Sequence, residues 1–230
     1  MSAMAGTLHG DASSPALGLR ERKKQRTREL IAETARRLFT ERGFERVTVA
    51  EIAREAEVSD QTVFNYFPTK EDLVYWRLGS FEEELLATVR ERAPGESVLA
   101  AFRRFILAQR GLLGQYDPEA RERLVGITRM ITESPALLAR EQQIFTGYAA
   151  SLALVIAEER GAGVDDVEAW VAANALIGVH RALVHLTRRR ILEGARHPRL
   201  HREVRAQAEA AFALLERGLG GYAVRERADG

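Results

Sequence analysis

Amide, hydroxyl and aromatic side chains stand close together between Ser59 and Tyr66. An amide can exchange two hydrogen bonds with adenine in the major groove of DNA, and a carboxylate such as Asp60 can accept one from the cytosine amino group. Hydroxyl and ammonium groups suit phosphate oxygens, which position a protein on DNA without identifying its sequence. The chemistry that this segment offers is therefore contact with a nucleic acid.

A basic run precedes that segment and supports the same interpretation. Residues 20–28, RERKKQRTR, hold six basic residues and one glutamate, although the whole chain has a net charge of only +1. Local clustering matters more than the total, because salt screens charges beyond roughly 8–10 Å. We expect this basic arm (residues 20–28) to lie near phosphate groups.

Two short helices joined by a tight turn are needed to present these side chains, and the stretch from Thr48 to Lys70 predicts them. Thr48 and Glu51 form a capping box that opens one helix, and Ser59 is placed to cap the next. Ala53 is the small residue where the two helices cross. Apolar side chains are spaced to lock the pair against a preceding helix: Leu38, Phe39, Phe44, Ile52, Val58, Val63 and Phe67.

The remaining sequence predicts helices throughout, and hence an all-α protein of about nine helices. The expected fourth helix is long, from Lys70 to about Arg92, and joins the helix-turn-helix region to the rest of the chain. The expected eighth (165–192) begins at Asp165, and the ninth (199–217) follows Pro198. The predicted division is a disordered tail (1–19), a helix-turn-helix DNA-binding domain (20–70, the head), a helical ligand-binding and dimerisation domain (71–220, the body) and a flexible C-terminus (221–230).

The run V-S-x-x-T-V-F-N-Y-F-P-T-K-E-D-L, preceded by T-V-A-E-I-A, strongly resembles the DNA-binding head of the TetR/AcrR family of transcriptional regulators. The resemblance covers about residues 25–74, and the helix count and length also fit. It implies that Thr48, Thr62, Tyr66 and Lys70 contact phosphates, and that Gln61 and Asn65 fall where members commonly touch bases. The predicted DNA-binding set is Thr48, Ser59, Asp60, Gln61, Thr62, Phe64, Asn65, Tyr66 and Lys70.

Two residues depart from the family's pattern. Phe64 stands where many members have a tyrosine, so a hydroxyl contact to the DNA backbone is replaced by packing against a thymine methyl group. Asp60 places a negative charge at the start of the recognition helix, where it favours the helix dipole but needs a donor on DNA.

The body carries no motif of its own. Residues at helical spacing there are core by default, and the following set could instead surround an apolar ligand: Phe105, Met130, Phe145, Tyr148, Trp170, Asn174 and His180. Arg188, Arg189 and Arg190 suit the C-terminal end of a helix dipole. We find no paired carboxylates, activated nucleophile or phosphate loop, and expect no cofactor and no metal.

Composition limits the cellular setting. The chain has no cysteine, which fits a reducing compartment. We see no apolar run of about 18–20 residues that would span a bilayer, and no secretory signal at the start. We therefore expect a cytoplasmic protein without a membrane partner.

These observations predict a homodimeric regulator, usually a repressor in this family, that a small apolar or amphipathic ligand releases from a palindromic operator of double-stranded DNA. We expect the ligand to act by tilting the fourth helix. Two alternatives stay open: a ligand-independent dimeric DNA-binding scaffold, and a small helical enzyme. The dimer is expected to form through the last two helices, with apolar residues Leu176, Val179, Leu183, Leu186, Ala210, Leu214 and Leu215.

Overall fold

Helices account for most of the described chain. The computed structural model describes residues 18–76, 78–108, 118–219 and Val224. Within these residues there is no β-strand, and Ser97 and Val224 form an isolated bridge. The helices are α1 (Leu19–Arg42), α2 (Val49–Glu55), α3 (Asp60–Tyr66), α4 (Leu78–Arg90), α5 (Val98–Ala108), α6 (Pro118–Glu133), α7 (Pro135–Glu159), α8 (Val167–Leu192) and α9 (His197–Leu219), with a 3-10 turn at Glu71–Leu73.

The predicted all-α architecture of nine helices is confirmed for the described residues. Most of the predicted tail (1–19) and of the predicted C-terminus (221–230) lies outside them, although α1 already begins at Leu19. Gly43 ends α1 with a φ of +83°, which glycine adopts readily, and its N–H donates to the Phe39 carbonyl.

The fourth helix begins later than predicted. The 3-10 turn Glu71–Leu73 precedes it, and α4 itself runs only from Leu78 to Arg90. The cause is local. Thr69 donates from its N–H and its hydroxyl to the Asp72 carboxylate, at 2.9 and 2.8 Å. Such side-chain bonds compete with a continuing helix, so the predicted single helix from Lys70 to Arg92 is wrong.

The boundaries of α8 and α9 also differ slightly from the prediction. Asp166, not Asp165, caps α8, and its carboxylate accepts from the N–H of Glu168. Pro198 lies in the first turn of α9, where its missing N–H has no helical partner to lose.

Two hydrophobic clusters organise the packing. The head cluster comprises apolar side chains of α1, α2, α3 and the 3-10 turn, and it also includes Ile131 from α6 and Leu137 from α7. The body cluster comprises side chains of α4, α5, α7, α8 and α9. The head therefore packs directly on the junction between α6 and α7.

Polar contacts reinforce this joint. Tyr75 is buried and donates its hydroxyl to the Leu137 carbonyl at 3.0 Å. The guanidinium of Arg140 lies 2.7 Å from the Asp72 carboxylate, and the Ser134 hydroxyl lies 2.6 Å from Glu45. The start of α7 thus connects head and body, in addition to the 3-10 turn and α4, whose Leu78 packs against both clusters.

Helix α8 is long and apolar enough to cross a membrane by length and composition, contrary to the expectation that no segment of the chain is. Its Ala169, Ala173 and Ile177 are instead buried in the body cluster, which also contains residues of α7 and α9. Core helices of globular proteins commonly have this composition.

Three residues predicted for the dimer interface are buried within a single protomer. Leu176, Val179 and Leu183 belong to the body cluster and are covered without a second copy, so their assignment to an interface is wrong. Ala210 and Leu214 of α9 remain exposed, Leu214 to 63%. An apolar helix offers no sequence signal for which side faces the core.

Candidate nucleic-acid interface

The start of α2 is closed by the predicted capping box. The Thr48 hydroxyl accepts from the Glu51 N–H at 3.2 Å, and the Glu51 carboxylate accepts from the Thr48 N–H at 2.8 Å. The backbone hydrogen bond from Thr48 is the main reason why the pKa of Glu51 is lowered. The box fixes the entry of α2 with bonds between residues three positions apart.

Ser59 opens α3 in the same manner. Its hydroxyl oxygen accepts from the Thr62 N–H at 3.1 Å, and the Ser59 and Thr62 hydroxyl oxygens lie 2.8 Å apart. The predicted cap is therefore confirmed. Both hydroxyls lie at the N-terminal end of α3, where helix N–H groups favour an anion.

One face of α3 anchors it to the head. Val63 and Phe67 are almost completely buried, and Ala53 of α2 is buried in the same cluster. The packing predicted from their spacing is thus confirmed.

The other face of α3 is open to solvent. Asp60, Gln61 and Asn65 are exposed, and the Phe64 ring is 45% exposed. An exposed phenylalanine loses the benefit of burial, roughly 1.5–3 kcal/mol for a large apolar side chain. Such a ring on a helix that is otherwise anchored is a candidate contact residue.

Gln61 and Asn65 form a pair on this face. The Gln61 amide nitrogen Nε2 donates to Asn65 Oδ1 at 3.0 Å, across one helical turn. The Gln61 Oε1 acceptor and the Asn65 Nδ2 donor have no partner among the described residues. The pair therefore presents one acceptor and one donor whose side chains already hold each other in place.

Lys70 and Tyr66 are less free than the other predicted contact residues. The Lys70 ammonium donates to the carbonyls of Phe44 and Val47 at 3.1 and 3.3 Å, and lies 4.1 Å from the centre of the Phe44 ring. Tyr66 is half-buried against the head cluster. Lys70 thus clamps the chain after α3 to the turn between α1 and α2, and has one N–H left for another partner.

The basic arm forms the first turns of α1. Five of its six cationic residues are exposed, and Arg28 lies over the Phe67 ring at 5.6 Å from its centre. Glu21 lies 3.9 Å from Lys24, so the acidic residue of the arm offsets little of its charge. The arm leaves the head as a rigid helix that carries positive charge.

In the body, three of the predicted ligand residues surround Phe81, a ring that the sequence does not indicate, and a fourth packs against two of them. Phe81 stacks on His180 at 4.6 Å between ring centres, and lies 5.2 Å from Phe105 and 5.4 Å from Tyr148. Phe145 packs edge-on against His180 at 5.6 Å. Nothing in the sequence near Phe81 distinguishes it from other apolar residues of an amphipathic helix, so no local signal identifies it.

Burial shifts the titration of this aromatic group. It lowers the pKa of His180 to about 4, so the imidazole is neutral at pH 7. The Tyr148 hydroxyl donates to the Leu78 carbonyl at 2.6 Å, and burial raises its pKa.

The other predicted ligand residues do not join this group. Met130 packs against the head cluster. Trp170 donates its indole N–H to the Val164 carbonyl at 3.1 Å, and the exposed Asn174 donates to the Trp170 carbonyl at 2.8 Å. These two residues are held near the N-terminal end of α8.

An open cleft lies between α4 and α5. Its volume is about 460 Å³, and it is lined by Glu84, Ala87, Thr88, Glu91, Arg104, Phe105 and Ala108. Phe105 is the one predicted ligand residue on this wall. Across the described ranges, no group of three or more acidic, histidine or cysteine side chains is placed to hold a metal.

The chain is similar to several known proteins. A family model described as bacterial regulatory proteins, tetR family, matches residues 31–75. The HTH-type transcriptional regulator TcmR of Streptomyces glaucescens is 32% identical over 154 residues, covering 65% of this chain and 67% of TcmR. The nucleoid occlusion factor SlmA of Pasteurella multocida is 28% identical over 128 residues, covering 53% and 61%. The crystal structure of FadR from Bacillus subtilis in complex with stearoyl-CoA is 21% identical with a TM-score of 0.49, covering 83% and 98%.

The anchored α3, its exposed amides and the basic arm define the class: a helix-turn-helix protein that contacts DNA. The similarity to TcmR and to the family model then identifies the group within that class. The chain belongs to the TetR family, and it is a DNA-binding transcriptional regulator.

Proposed function

We propose that α3 enters the major groove of an operator, where Gln61 and Asn65 contact base edges. The single observation that carries this proposal is their amide pair, exposed on a helix whose opposite face is buried through Val63 and Phe67. An acceptor and a donor one turn apart suit the N6 and N7 positions of adenine or a neighbouring base pair.

Five further residues position the head on phosphates in this proposal. The hydroxyls of Thr48, Ser59 and Thr62 lie at the N-terminal ends of α2 and α3, where helix dipoles attract anions. Tyr66 contributes its hydroxyl, and Lys70 its remaining N–H. Contacts of this kind set the position of the protein on DNA and not its base preference.

The two unusual residues of α3 complete the proposed contact. The exposed Phe64 ring packs against a thymine methyl group, and the Asp60 carboxylate accepts from a cytosine amino group. Exposure of both side chains supports these roles.

We further propose that the protein is a homodimer, with residues 20–70 as the DNA-binding domain and 71–220 as the dimerisation and ligand-binding domain. Large apolar side chains at the surface of the last two helices support a contact with a second copy: Val167, Val171 and Leu214. Two heads on a palindromic operator supply the affinity of about 10⁻⁸ M or better that specific sites require.

As a regulator of this family, the proposed dimer is a cytoplasmic repressor without enzymatic activity, released when a small apolar or amphipathic ligand binds the body. The rings around His180 support a ligand with a flat apolar part, since His180 adds one neutral hydrogen-bonding group to apolar surroundings. The contact between head and α7 supports transmission through Tyr75 and Arg140.

A second candidate, the ligand-independent DNA-binding scaffold, is favoured by one observation. Phe105, Phe145 and Tyr148 are nearly fully buried against neighbouring rings. A tightly filled body of this kind suits a dimerisation core. The two candidates differ in whether any small molecule lowers operator affinity.

Selection of duplexes from a random DNA pool, with the purified full-length protein, tests the DNA-binding proposal. We expect a two-fold symmetric motif with half-sites one helical turn, or a multiple of it, apart. Asn65→Ala should lose the preference at one position of each half-site, by about 1–3 kcal/mol, and keep it elsewhere.

Gln142→Ala is the matched control, since it removes an exposed amide from α7, outside the head. It should select the wild-type motif. If Asn65→Ala also selects the wild-type motif, Asn65 does not contact bases, and the proposed role of α3 must be revised.

A further inference from the structure

The turn between α8 and α9 carries a second concentration of positive charge. Residues 188–205 contain seven arginines and two glutamates, a net charge of +5 in a chain whose total is +1. The basic arm of α1 has the same net charge over residues 20–28. A surplus of this size in one stretch exceeds what a helix C-terminus needs to offset its dipole.

Internal ion pairs consume only part of this charge. Arg188 binds Glu141 of α7, with one nitrogen–oxygen distance of 2.6 Å. Arg190 contacts both Glu193 and Glu203 at 2.7 Å, and so takes up both acidic residues of the segment. The helix-terminal interpretation of these residues is therefore incomplete, because two of them are held by carboxylates.

Arg205 lies 3.7 Å from Glu209, and the other four arginines face solvent. Arg189, Arg196 and Arg199 are exposed and have no acidic partner in the described part of the chain. Arg202 is exposed and donates to the Pro198 carbonyl. Arg121 of α6 adds another guanidinium, which donates to the Gly194 carbonyl at 3.2 Å. We call the exposed residues Arg189, Arg196, Arg199 and Arg202 the basic turn.

The basic turn lies at the end of the body that meets the head. Arg188, next to it on α8, binds Glu141 of α7, and the adjacent Arg140 binds Asp72 beside the head. One turn of α7 therefore separates the end of α8 from the head.

The contacts of α6 and α9 also place the basic turn at the end of the body near the head. Arg121 touches the turn, and ten residues further along α6, about 15 Å at 1.5 Å per residue, Ile131 packs in the head cluster. The far end of α9 instead packs on α5, where Glu209 pairs with Arg103 and Phe212 packs on Phe102.

We propose that the basic turn forms a second, sequence-independent contact with the phosphates of the duplex that α3 binds. This inference rests on the proposed function of α3. Arginine suits the role because its planar fork of donors matches two phosphate oxygens. Duplex DNA presents one charge per roughly 1.7 Å of its axis, so a surface beside the head meets phosphates whatever the base sequence.

The salt dependence of operator affinity tests this contact in the full-length protein. We compare the wild type with Arg196→Gln/Arg199→Gln over a series of salt concentrations, on the duplex selected by the wild type. The slope of log K against log salt should become less negative by about 2–4 units, because each phosphate contact contributes about 0.9 and a dimer loses four side chains. The selected motif should stay the same.

Two further variants separate charge from structure. Arg90→Gln/Arg217→Gln removes the same charge from the C-terminal ends of α4 and α9, and should leave the slope as in the wild type. Arg196→Lys/Arg199→Lys keeps the charge and should restore most of the slope.

An unchanged slope in Arg196→Gln/Arg199→Gln, with normal wild-type binding, overturns this inference and leaves the proposed function of α3 standing. If that variant also loses binding to phosphatidylserine vesicles that the wild type binds, the basic turn serves an anionic lipid surface instead. Absence of wild-type binding to any duplex overturns both proposals.

Discussion

The hydrogen bonds inside the head and those inside the body differ in how far apart their partners lie in the sequence. In the head, the starts of α2, α3 and the 3-10 turn are closed by side chains three positions away: Thr48 with Glu51, Ser59 with Thr62, and Thr69 with Asp72. The body depends on distant partners. Arg188 and Glu141 are 47 positions apart, Tyr148 and Leu78 are 70 apart, and Arg103 and Glu209 are 106 apart.

This difference has a physical consequence for how each part is specified. A bond across three residues fixes a helix end as soon as that segment forms, since the loop that it closes is short. A bond across 47 residues requires α7 and α8 to be packed side by side first. The starts of α2, α3 and the 3-10 turn are therefore encoded in short segments, whereas the contacts between the body helices require the complete chain.

The largest expected effect comes from breaking the ion pair between Arg188 and Glu141 in the body. Arg188→Met should lower the free energy of unfolding by about 3–5 kcal/mol, because Glu141 is 9% exposed and would keep a buried, unpaired charge. Urea unfolding followed by circular dichroism measures this loss.

The paired replacement distinguishes the charge from the packing. Arg188→Met/Glu141→Leu removes both charges and should recover most of the lost stability. If the double variant is as unstable as Arg188→Met, packing around α7 and not the unpaired carboxylate causes the loss.

A second test of the body uses pH. His180 has a pKa of about 4 in the folded chain against an ordinary value of 6.5, so the unfolded chain binds more protons between these values. Stability contributed by the neutral imidazole is fully present above pH 6.5 and is lost as the pH falls to 4. The loss amounts to about 3 kcal/mol, at 1.36 kcal/mol for each pKa unit.

His180→Phe is the control for this titration, because a phenyl ring can stack on Phe81 without binding a proton. The variant should show a shallower decline in unfolding free energy between pH 6.5 and 4. Parallel profiles for the two proteins would mean that other groups account for the acid sensitivity.

The contrast also explains how much the sequence predicts. The Thr48–Glu51 box and the Ser59 cap are confirmed because each signal lies within a few residues of its effect. The predicted start of the fourth helix is wrong because Thr69 donates hydrogen bonds to Asp72 and closes a separate turn there. The spacing of apolar residues gives no indication of this bond.

In the body the missing information is about orientation. Helix α8 is apolar around much of its circumference, so the sequence alone could not assign Leu176 to the core or to an interface. Phe81 was missed because its partners Phe105 and His180 come from α5 and α8. Only the packed structure brings these rings together.

A variant at the contact between head and body should lower the free energy of unfolding by an intermediate amount. Tyr75→Phe removes the hydroxyl that donates to the Leu137 carbonyl at 3.0 Å. We expect a loss of about 1 kcal/mol, since one buried hydrogen bond is removed. Two other tyrosines are unsuitable for a reference variant. Tyr116 lies outside the described residues, and Tyr66→Phe would change the proposed DNA contact.

Tyr148→Phe is the better reference, because it removes a similar bond to the Leu78 carbonyl within the body. Both variants should lose similar stability, whereas only Tyr75→Phe should alter the effect of Asp72→Asn, which breaks the neighbouring pair with Arg140. Strict additivity of Tyr75→Phe and Asp72→Asn would argue against a joint that acts as one unit.

The smallest expected effect is in the head, where each local device contributes little by itself. Ser59→Ala removes the acceptor for the Thr62 N–H and should cost about 1 kcal/mol, whereas Ser59→Gly should cost only about a few tenths of a kcal/mol, because glycine is itself tolerated at this position. Ser151→Ala, at a position inside α7, serves as the control and should have little effect. Because Ser59 sets the start of α3, its loss should weaken binding to every duplex alike and leave the selected motif unchanged. A changed motif in Ser59→Ala would instead make Ser59 a base contact, and the distinction between caps and base-contacting residues in α3 would not hold.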